Sequence, residues 1–216
     1  MTTIFPSSFG LFVSAMVFLT SSPCFGDTNV VPEELPTVNV KILITYHSLT
    51  DNTAKMAQGV AEGARSMEEV VVVVKPVSAV TANDLFSSDA IIVGSPVYWS
   101  NMAGEVKTFF DNWQFKFGVY PEFKMRDKVG AAFSTGGGRS NGKELTMLTI
   151  LSAMLGNQMI VVSGGGAFGA SATTEGESPG IDAYEYNEAQ TLGRRVAEVA
   201  SLVKGGQLRQ TRKTSP

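Results

Sequence analysis

Hydroxyl and amide side chains cluster in the segment 45–56, directly after an apolar run, and they are the residues best placed for chemistry. Residues 38–46 alternate in hydrophobicity like a buried strand, and a helical pattern starts at Thr53. Backbone N–H groups at a helix start have no partner within the helix, and the helix dipole adds partial positive charge there. The alternative is that Thr50 or Asn52 only caps the helix. The pattern favours a phosphate-binding loop made of Ser48, Leu49, Thr50, Asp51, Asn52 and Thr53.

A second candidate loop follows the third predicted strand and carries two adjacent aromatic residues, Tyr98 and Trp99. Aromatic side chains at a ligand crevice can stack on a planar ring; in the alternative, one of the pair fills a hydrophobic gap beneath the loop. The amide of Asn101 either meets a polar ring edge or caps the next helix. The predicted binding residues here are Pro96, Val97, Tyr98, Trp99 and Asn101.

A third candidate loop, rich in glycine, follows the fourth predicted strand. Consecutive glycines let the backbone approach a ligand closely and leave N–H groups accessible. A plain flexible turn is the alternative. The predicted binding residues are Ser134, Thr135, Gly136, Gly137, Gly138 and Arg139.

Strands and helices alternate along the chain, which predicts an α/β fold with a parallel sheet between two helical layers. A phosphate loop after the first of five strands favours the order 2-1-3-4-5, with the ligand crevice above the carboxyl ends of strands one and three. The three candidate loops should therefore meet. The predicted strands are 38–46, 70–77, 90–94, 129–134 and 159–162; the helices are 53–67, 101–113, 143–155 and 184–204, with a short turn at 81–86 and a loop at 163–179.

The composition excludes several kinds of site. A formal net charge of -3 and scattered cations give no indication of nucleic acid as a partner. The single Cys, Cys24, rules out a disulfide within the chain, and with the single His, His47, it leaves a Cys/His zinc site without ligands. A serine hydrolase triad would need a His after the segment 138–142, and His47 precedes it. We expect no metal.

Both ends of the chain differ from its body. Residues 1–26 contain an apolar run, 9–19, followed by small residues, which is typical of a cleaved signal peptide and predicts export to the periplasm or the extracellular space. The alternative is a membrane anchor formed by residues 4–25. Residues 27–37 form a predicted linker, and 205–216 a polar, disordered tail.

Taken together, the loops resemble the flavodoxin-like FMN proteins, most closely the WrbA-type NAD(P)H:quinone oxidoreductases and the NADPH-dependent FMN reductases. The resemblance covers residues 38–204, predicts a flavodoxin-like three-layer sandwich, and is carried by 46–57, 94–111 and 133–138. It implies that 48–53 hold the FMN phosphate, that 97–99 run beside the isoalloxazine, and that 134–139 flank the ring and ribityl chain. Two departures are Asp51, where a Gly is common, and Asn157, near a flavin-side His of the WrbA type.

The resulting hypothesis is an FMN-dependent oxidoreductase that passes two electrons from NAD(P)H to a quinone or similar acceptor. The flavin does this chemistry, so no residue is assigned as a catalytic acid or base. The alternatives are a flavodoxin-type electron carrier, which is usually more acidic than this chain, and a flavodoxin-like binding module without FMN. The oligomeric state, a homo-oligomer included, stays open.

Overall fold

A computed structural model of the chain describes residues 39–214. The predicted signal peptide, 1–26, and linker, 27–37, lie outside the described residues. The elements are β1 (Val40–Tyr46), α1 (Asn52–Arg65), β2 (Val70–Pro76), α2 (Ala82–Phe86), β3 (Ala90–Tyr98), β4 (Asn101–Met102), α3 (Gly104–Phe115), β5 (Val129–Gly136), α4 (Lys143–Gly156), β6 (Ile160–Val161), β7 (Ala170–Thr173) and α5 (Ala183–Thr214).

The central sheet has the order β2-β1-β3-β5-β6, and all these neighbours pair in parallel. This confirms the predicted flavodoxin-like order, because β6 is the fifth strand of the main path. The short β4 pairs antiparallel with the end of β3, and β7 pairs with the end of β5.

Two apolar cores cover the two faces of the sheet. Alternate residues of β1 show the division: Ile42 and Ile44 pack under α1 and α5, while Leu43 faces the α3 and α4 side. Met56, Val60 and Ala64 form the inner face of α1 and are fully buried.

Glycines let α1 and α5 pack with their backbones in close contact. A Cβ on Gly63 would stand 1.8 Å from the carbonyl oxygen of Gln190, and one on Gly193 would stand 1.9 Å from that of Val60. These two helices form the layer that supports the first candidate loop, 48–53, because that loop leads directly into α1.

The third predicted strand and second predicted helix are wrong at their shared boundary. The strand does not stop before Ser95 but continues to Tyr98, because Ser95 and Pro96 still pair with β5. The chain then reverses in a two-residue turn, and β4 follows. Helix α3 begins only at Gly104 with Ala103 as its N-cap, so neither Ser100 nor Asn101 caps it.

The fifth predicted strand is split in two, and the predicted loop 163–179 contains its second half. The N–H of Val162 donates to the carbonyl of Gly130 at 2.9 Å, and a Cβ on Gly169 would meet the carbonyl oxygen of Ala132 at 1.9 Å. The segment 162–169, which connects β6 to β7, is therefore held at both of its ends against neighbouring residues of β5.

The prediction of a disordered tail is wrong over 205–214, because α5 continues to Thr214.

Strand β2 lies at one edge of the central sheet, and its Val71 is 55% exposed. Val70, Val72 and Val74 nevertheless pack against the core under α1 and α5, and Val73 packs against the core on the other face, so both faces of this edge strand are partly covered. Within residues 39–214, no helix combines the length and the apolar character needed to cross a bilayer.

Candidate functional site

The three predicted loops meet at the carboxyl edge of the sheet, as expected. Ser95 and Pro96 pair with Ser134 and Thr135, which joins the second loop to the third. The hydroxyls of Thr53 and Thr135 lie 2.8 Å apart and join the first loop to the third. The first and second loops meet where the ring of His47 contacts the edge of Tyr98, with centroids 6.1 Å apart.

The first loop makes its turn at Asp51, which has φ 59° and an exposed side chain with no capping hydrogen bond. An Asp tolerates this left-handed conformation better than most residues, so Asp51 serves where a Gly would otherwise stand. Leu49 and Thr50 are also exposed, whereas Ser48 is half-buried, and its hydroxyl accepts from the N–H of Ala54 at 3.3 Å.

The side chain of Asn52 is already engaged within the protein. Its amide nitrogen donates to the hydroxyl of Thr50 and to the carbonyl of Glu177, both at 3.1 Å, and its oxygen accepts from the N–H of Gly180 at 2.7 Å. Thr53 is likewise buried against Thr135. These side chains fix the loop, and the groups free to face a phosphate are backbone N–H groups and the exposed hydroxyl of Thr50.

The second loop is a β-hairpin whose tip is Trp99 and Ser100. Both have positive φ, 50° and 63°, which together with the two-residue connection identifies a type I′ turn. Trp99 is fully exposed, and Tyr98 is 38% exposed. Pro96 and Val97 are half-buried strand residues, and Asn101 accepts hydrogen bonds from the N–H of Met102 and the hydroxyl of Thr149. Asn101 therefore points to α4 rather than capping α3.

Beneath the hairpin, His47 faces Glu105 across 3.6 Å, and its buried Nε2 atom has no hydrogen-bond partner. Burial raises the pKa of the neighbouring Tyr98 phenol, and the Glu105 carboxylate raises it further. Tyr98 is therefore a neutral hydroxyl at physiological pH.

The third loop is braced from below by Lys143, which the sequence did not mark as important. Its Nζ donates to the carbonyls of Gly138 and Arg139 at 2.9 and 3.3 Å and to the hydroxyl of Thr173 at 2.7 Å. Lys143 is only 4% exposed, and burial lowers its pKa against the opposing effect of Glu144 and Glu185.

Lys143 also fixes which way the loop presents its N–H groups. A trans peptide points its C=O and N–H in opposite directions. Because Lys143 holds the carbonyls of Gly138 and Arg139, the N–H groups of Arg139 and Ser140 point away from it.

Each glycine of the third loop has a different surrounding. A Cβ on Gly136 would collide with Asn141, whereas one on Gly137 would meet nothing within 4 Å. In the orientation that satisfies both ends of its amide, Asn141 donates to the carbonyl of Gly138 at 3.0 Å and accepts from the N–H of Gly137 at 3.1 Å. Space thus lies open beside Gly137 on a loop that is held rigidly, while Arg139 is exposed and 3.6 Å from Glu175.

A fourth segment, 174–182, lies against the phosphate loop and was not predicted to belong to the site. It supplies the partners of Asn52 described above, and the hydroxyl of Ser178 donates to the carbonyl of Thr50. The carboxylate of Glu185 fixes the start of this segment, because it accepts a hydrogen bond from the N–H of Thr173 at 2.6 Å. The contacts of this segment with Thr50 and Asn52 span 125 to 128 positions of sequence, so no local pattern could have revealed them.

Asn157, one of the two departures from the resemblance, follows the last residue of α4, and its amide donates to the carbonyl of Ala153.

Comparison with known proteins decides the family. The family model described as NADPH-dependent FMN reductase matches residues 79–174, a range that includes the hairpin and the glycine loop. A flavodoxin of Clostridium saccharobutylicum is 34% identical over 160 residues, covering 73% of this chain and 96% of the relative. The chain belongs to the flavodoxin-like FMN protein family.

Other relatives of this flavodoxin-like chain carry enzyme names. NAD(P)H dehydrogenase (quinone) 3 of Rhizobium meliloti is 30% identical, covering 77% of this chain and 94% of the relative. Among solved structures, a flavodoxin, WrbA-like protein from Agrobacterium tumefaciens has a TM-score of 0.63 and 25% identity over 74% of this chain and 97% of that one.

The geometry of the loops fits FMN. The N–H groups of a helix start suit the single terminal phosphate, and a Cβ on Gly137 would have no atom within 4 Å, so the backbone there is open to a ligand. Asn52, Thr53 and Thr135 fix the loops through their hydrogen bonds, and the other predicted binding residues stay predictions.

Proposed function

We propose that this protein is an FMN-dependent oxidoreductase that takes two electrons from NAD(P)H and passes them to a quinone or similar small acceptor. The family match and the relatives named as NAD(P)H dehydrogenases support the proposal. The relatives named flavodoxin support the electron carrier as the second candidate.

The observation that carries the enzyme proposal is the exposed Trp99 at the tip of the hairpin. A fully exposed indole forfeits its burial energy, and a bulky residue in left-handed backbone adds strain. Both are unfavourable for the isolated domain. An accessible aromatic platform beside the crevice suits a flat ring that enters and leaves, as a nicotinamide or a quinone does.

In this proposal the residues of the protein bind and orient the flavin and its substrates and shield them from water. The first loop positions the phosphate, Lys143 holds the third loop in one conformation, and Trp99 with Tyr98 forms one wall of the space beside the hairpin. FMN, when bound, supplies the electron-transfer chemistry.

The test is made on the full chain loaded with FMN. The visible spectrum is recorded first, and NADH or NADPH is then added with a benzoquinone while oxidation of the nicotinamide is followed. Rapid turnover of a yellow protein is expected. A yellow protein whose flavin is not reduced by either nicotinamide contradicts the proposal and supports the carrier. A colourless protein that does not take up added FMN contradicts both and supports the binding module.

A further inference from the structure

The edge of the sheet opposite the FMN site carries a second distinct surface. It is formed by the loop 115–128 and the end of α5, 200–214, and is called the basic edge below. The two segments line one cavity of about 200 Å³. The first contributes Lys124, Arg126, Asp127 and Lys128, the second contributes Lys204 and Gln207, and Asp89 lies beside them. The two segments are therefore neighbours in space.

Cations outnumber acidic residues on this edge, since the loop 115–128 has four cations against Glu122 and Asp127. From Lys204 onward the sequence has four cations, Lys204, Arg209, Arg212 and Lys213, and no acidic residue, in a chain whose net charge is -3. The predominance of cations at this edge leaves the rest of the molecule more acidic than the total suggests.

Some of these cations have structural roles that keep the edge in shape. Lys204 bonds to the Asp89 carboxylate at 2.7 Å, and Lys128 donates to the carbonyl of Phe86 at 3.0 Å. Arg209 is exposed on the part of α5 that extends beyond these contacts. Arg209 therefore presents its positive charge to the solvent at this edge.

Large aromatic side chains are exposed on the same edge. Phe115, the last residue of α3, is 80% exposed, and Tyr120 is 55% exposed with its ring against the edge of Phe123. Aromatic residues interleaved with cations are typical of surfaces that rest at the boundary between water and lipid.

The N-terminal part of the chain joins the domain at this edge as well. Strand β1 begins at Val40, and Lys204 donates to the carbonyl of Asn39 at 2.6 Å. The sequence before Asn39 includes the apolar run 9–19. In the alternative in which residues 4–25 form a membrane anchor and are not cleaved, that anchor is connected covalently to the basic edge.

We propose that the basic edge docks on a lipid surface with anionic headgroups, so that the FMN site faces the water. Cations near such a surface are attracted by its negative potential, and the aromatic rings enter the headgroup layer. The seven residues of β1 separate the two ends of the sheet by about 23 Å. A docked molecule therefore takes its electron acceptor from the aqueous side.

The experiment measures binding of the FMN-loaded full chain to vesicles of phosphatidylcholine alone and of phosphatidylcholine with about one-third phosphatidylglycerol. The apolar run 9–19 contributes equally on both, so the ratio of the two affinities reports on charge. We expect at least about tenfold tighter binding to the anionic vesicles at low salt, and loss of this preference at high salt.

Two matched variants locate the effect. Arg209→Gln/Arg212→Gln/Lys213→Gln should lower the preference at least about tenfold, since each cation strengthens binding several-fold. Lys107→Gln/Arg194→Gln/Arg195→Gln removes the same charge from exposed positions elsewhere and should change the preference less than about twofold. Equal losses in the two variants would overturn the proposal.

Orientation is tested with acrylamide, a water-soluble quencher. Trp99 is fully exposed and Trp113 is buried, so quenching reports mainly on the FMN-site end. Quenching should persist on vesicles; protection of Trp99 would show that the opposite end docks. Equal affinity for the two vesicle types, or binding of duplex DNA as tightly as anionic vesicles at the same salt, would also overturn the proposal.

Discussion

Trp99 combines two unfavourable features, full exposure and φ 50°, at the first central position of a type I′ turn. Glycine suits that position without strain. Trp99→Gly should therefore leave the thermal midpoint equal or higher while raising the KM for the quinone or nicotinamide about threefold to tenfold, since aromatic stacking contributes about 0.5–1.5 kcal/mol.

Steady-state kinetics and a thermal melt of the same variant check this expectation. Phe115→Ala is the matched control, because it removes another exposed aromatic ring at the opposite edge and should leave KM unchanged. A lower midpoint with an unchanged KM would mean that Trp99 acts in packing.

Lys143 is the second residue whose role follows from its contacts. Lys143→Met leaves the carbonyl of Arg139 and the hydroxyl of Thr173 without their buried partner. The third loop should then sample other conformations, and the Kd for FMN should rise about tenfold, the loss expected for one charged hydrogen bond. Fluorescence titration of the apoprotein measures this.

Lys143→Arg keeps donors at the same place and should recover part of the affinity. Glu144→Gln, on the adjacent exposed position, is the control and should bind FMN like the parent protein. If Lys143→Met binds FMN normally, the lysine does not order the loop.

Among the elements, α1 and α5 depend on glycine most directly. In Gly63→Ala the new Cβ would meet the backbone of Gln190 at 1.8 Å, so the helices must separate. We expect a loss of about 2–3 kcal/mol in the free energy of unfolding, measured in urea. Gly206→Ala, in α5 with nothing within 4 Å, should instead be neutral or stabilise by up to about 1 kcal/mol.

Helix α2 has a start whose stability depends on pH. Thr81 and Asp84 form a reciprocal capping box, and Lys75 donates to Asp84 at 2.9 Å. Burial raises the pKa of Asp84, but the hydrogen bonds from Lys75 and Thr81 outweigh it and lower the pKa to about 2. A carboxyl with a depressed folded-state pKa stabilises the protein above its unfolded value of 3.8 and loses that contribution as pH falls towards 2.

Asp84→Asn should therefore reduce the free energy of unfolding at neutral pH by about 1–2 kcal/mol. The difference from the parent protein should shrink as pH falls from 3.8 towards 2. Urea unfolding at several pH values measures this. Asp111→Asn, whose partner Lys107 is exposed, is the control and should show no comparable effect.

The periodicity of the sequence predicted most elements, since burial of one helix face or of a whole strand leaves a local pattern. It failed where pairing with a distant strand decides. Ser95 and Pro96 look like a strand end, because proline lacks an N–H, yet their pairing with Ser134 and Thr135 extends β3. The 205–214 segment is polar, but it continues a helix that packing against α1 has already nucleated.

For the whole molecule, binding of FMN should raise the stability of all the loops together, because Thr53 joins Thr135 and Asn52 joins the segment 174–182. At about one hundred times its Kd, FMN should stabilise the apoprotein by about 2.7 kcal/mol and raise the thermal midpoint by about 5–10 °C. Riboflavin lacks the phosphate and should raise it much less at the same concentration. Equal shifts would contradict a role for the first loop in holding the phosphate.

The site as a whole was only partly accessible from the sequence. The three loops could be placed, because parallel strands direct their carboxyl ends to one edge. The hydrogen bonds that hold the loops in place could not be predicted. Lys143 looks like an ordinary surface lysine at a helix start, and the amide of Asn52 accepts from Gly180 across 128 positions of sequence. Which polar side chains remain for the ligand is decided by these distant contacts.

The interruption of the fifth strand, between β6 and β7, is a position at which an insertion should be tolerated. The segment 162–169 leaves β6 beside Gly130 and enters β7 beside Ala132, so its two ends are fixed against neighbouring residues of β5. Closing a longer loop between fixed ends costs little, about 0.6 kcal/mol for each doubling of length. A reporter peptide or a whole domain could therefore be grafted there while β6, β7 and the strand order stay as they are.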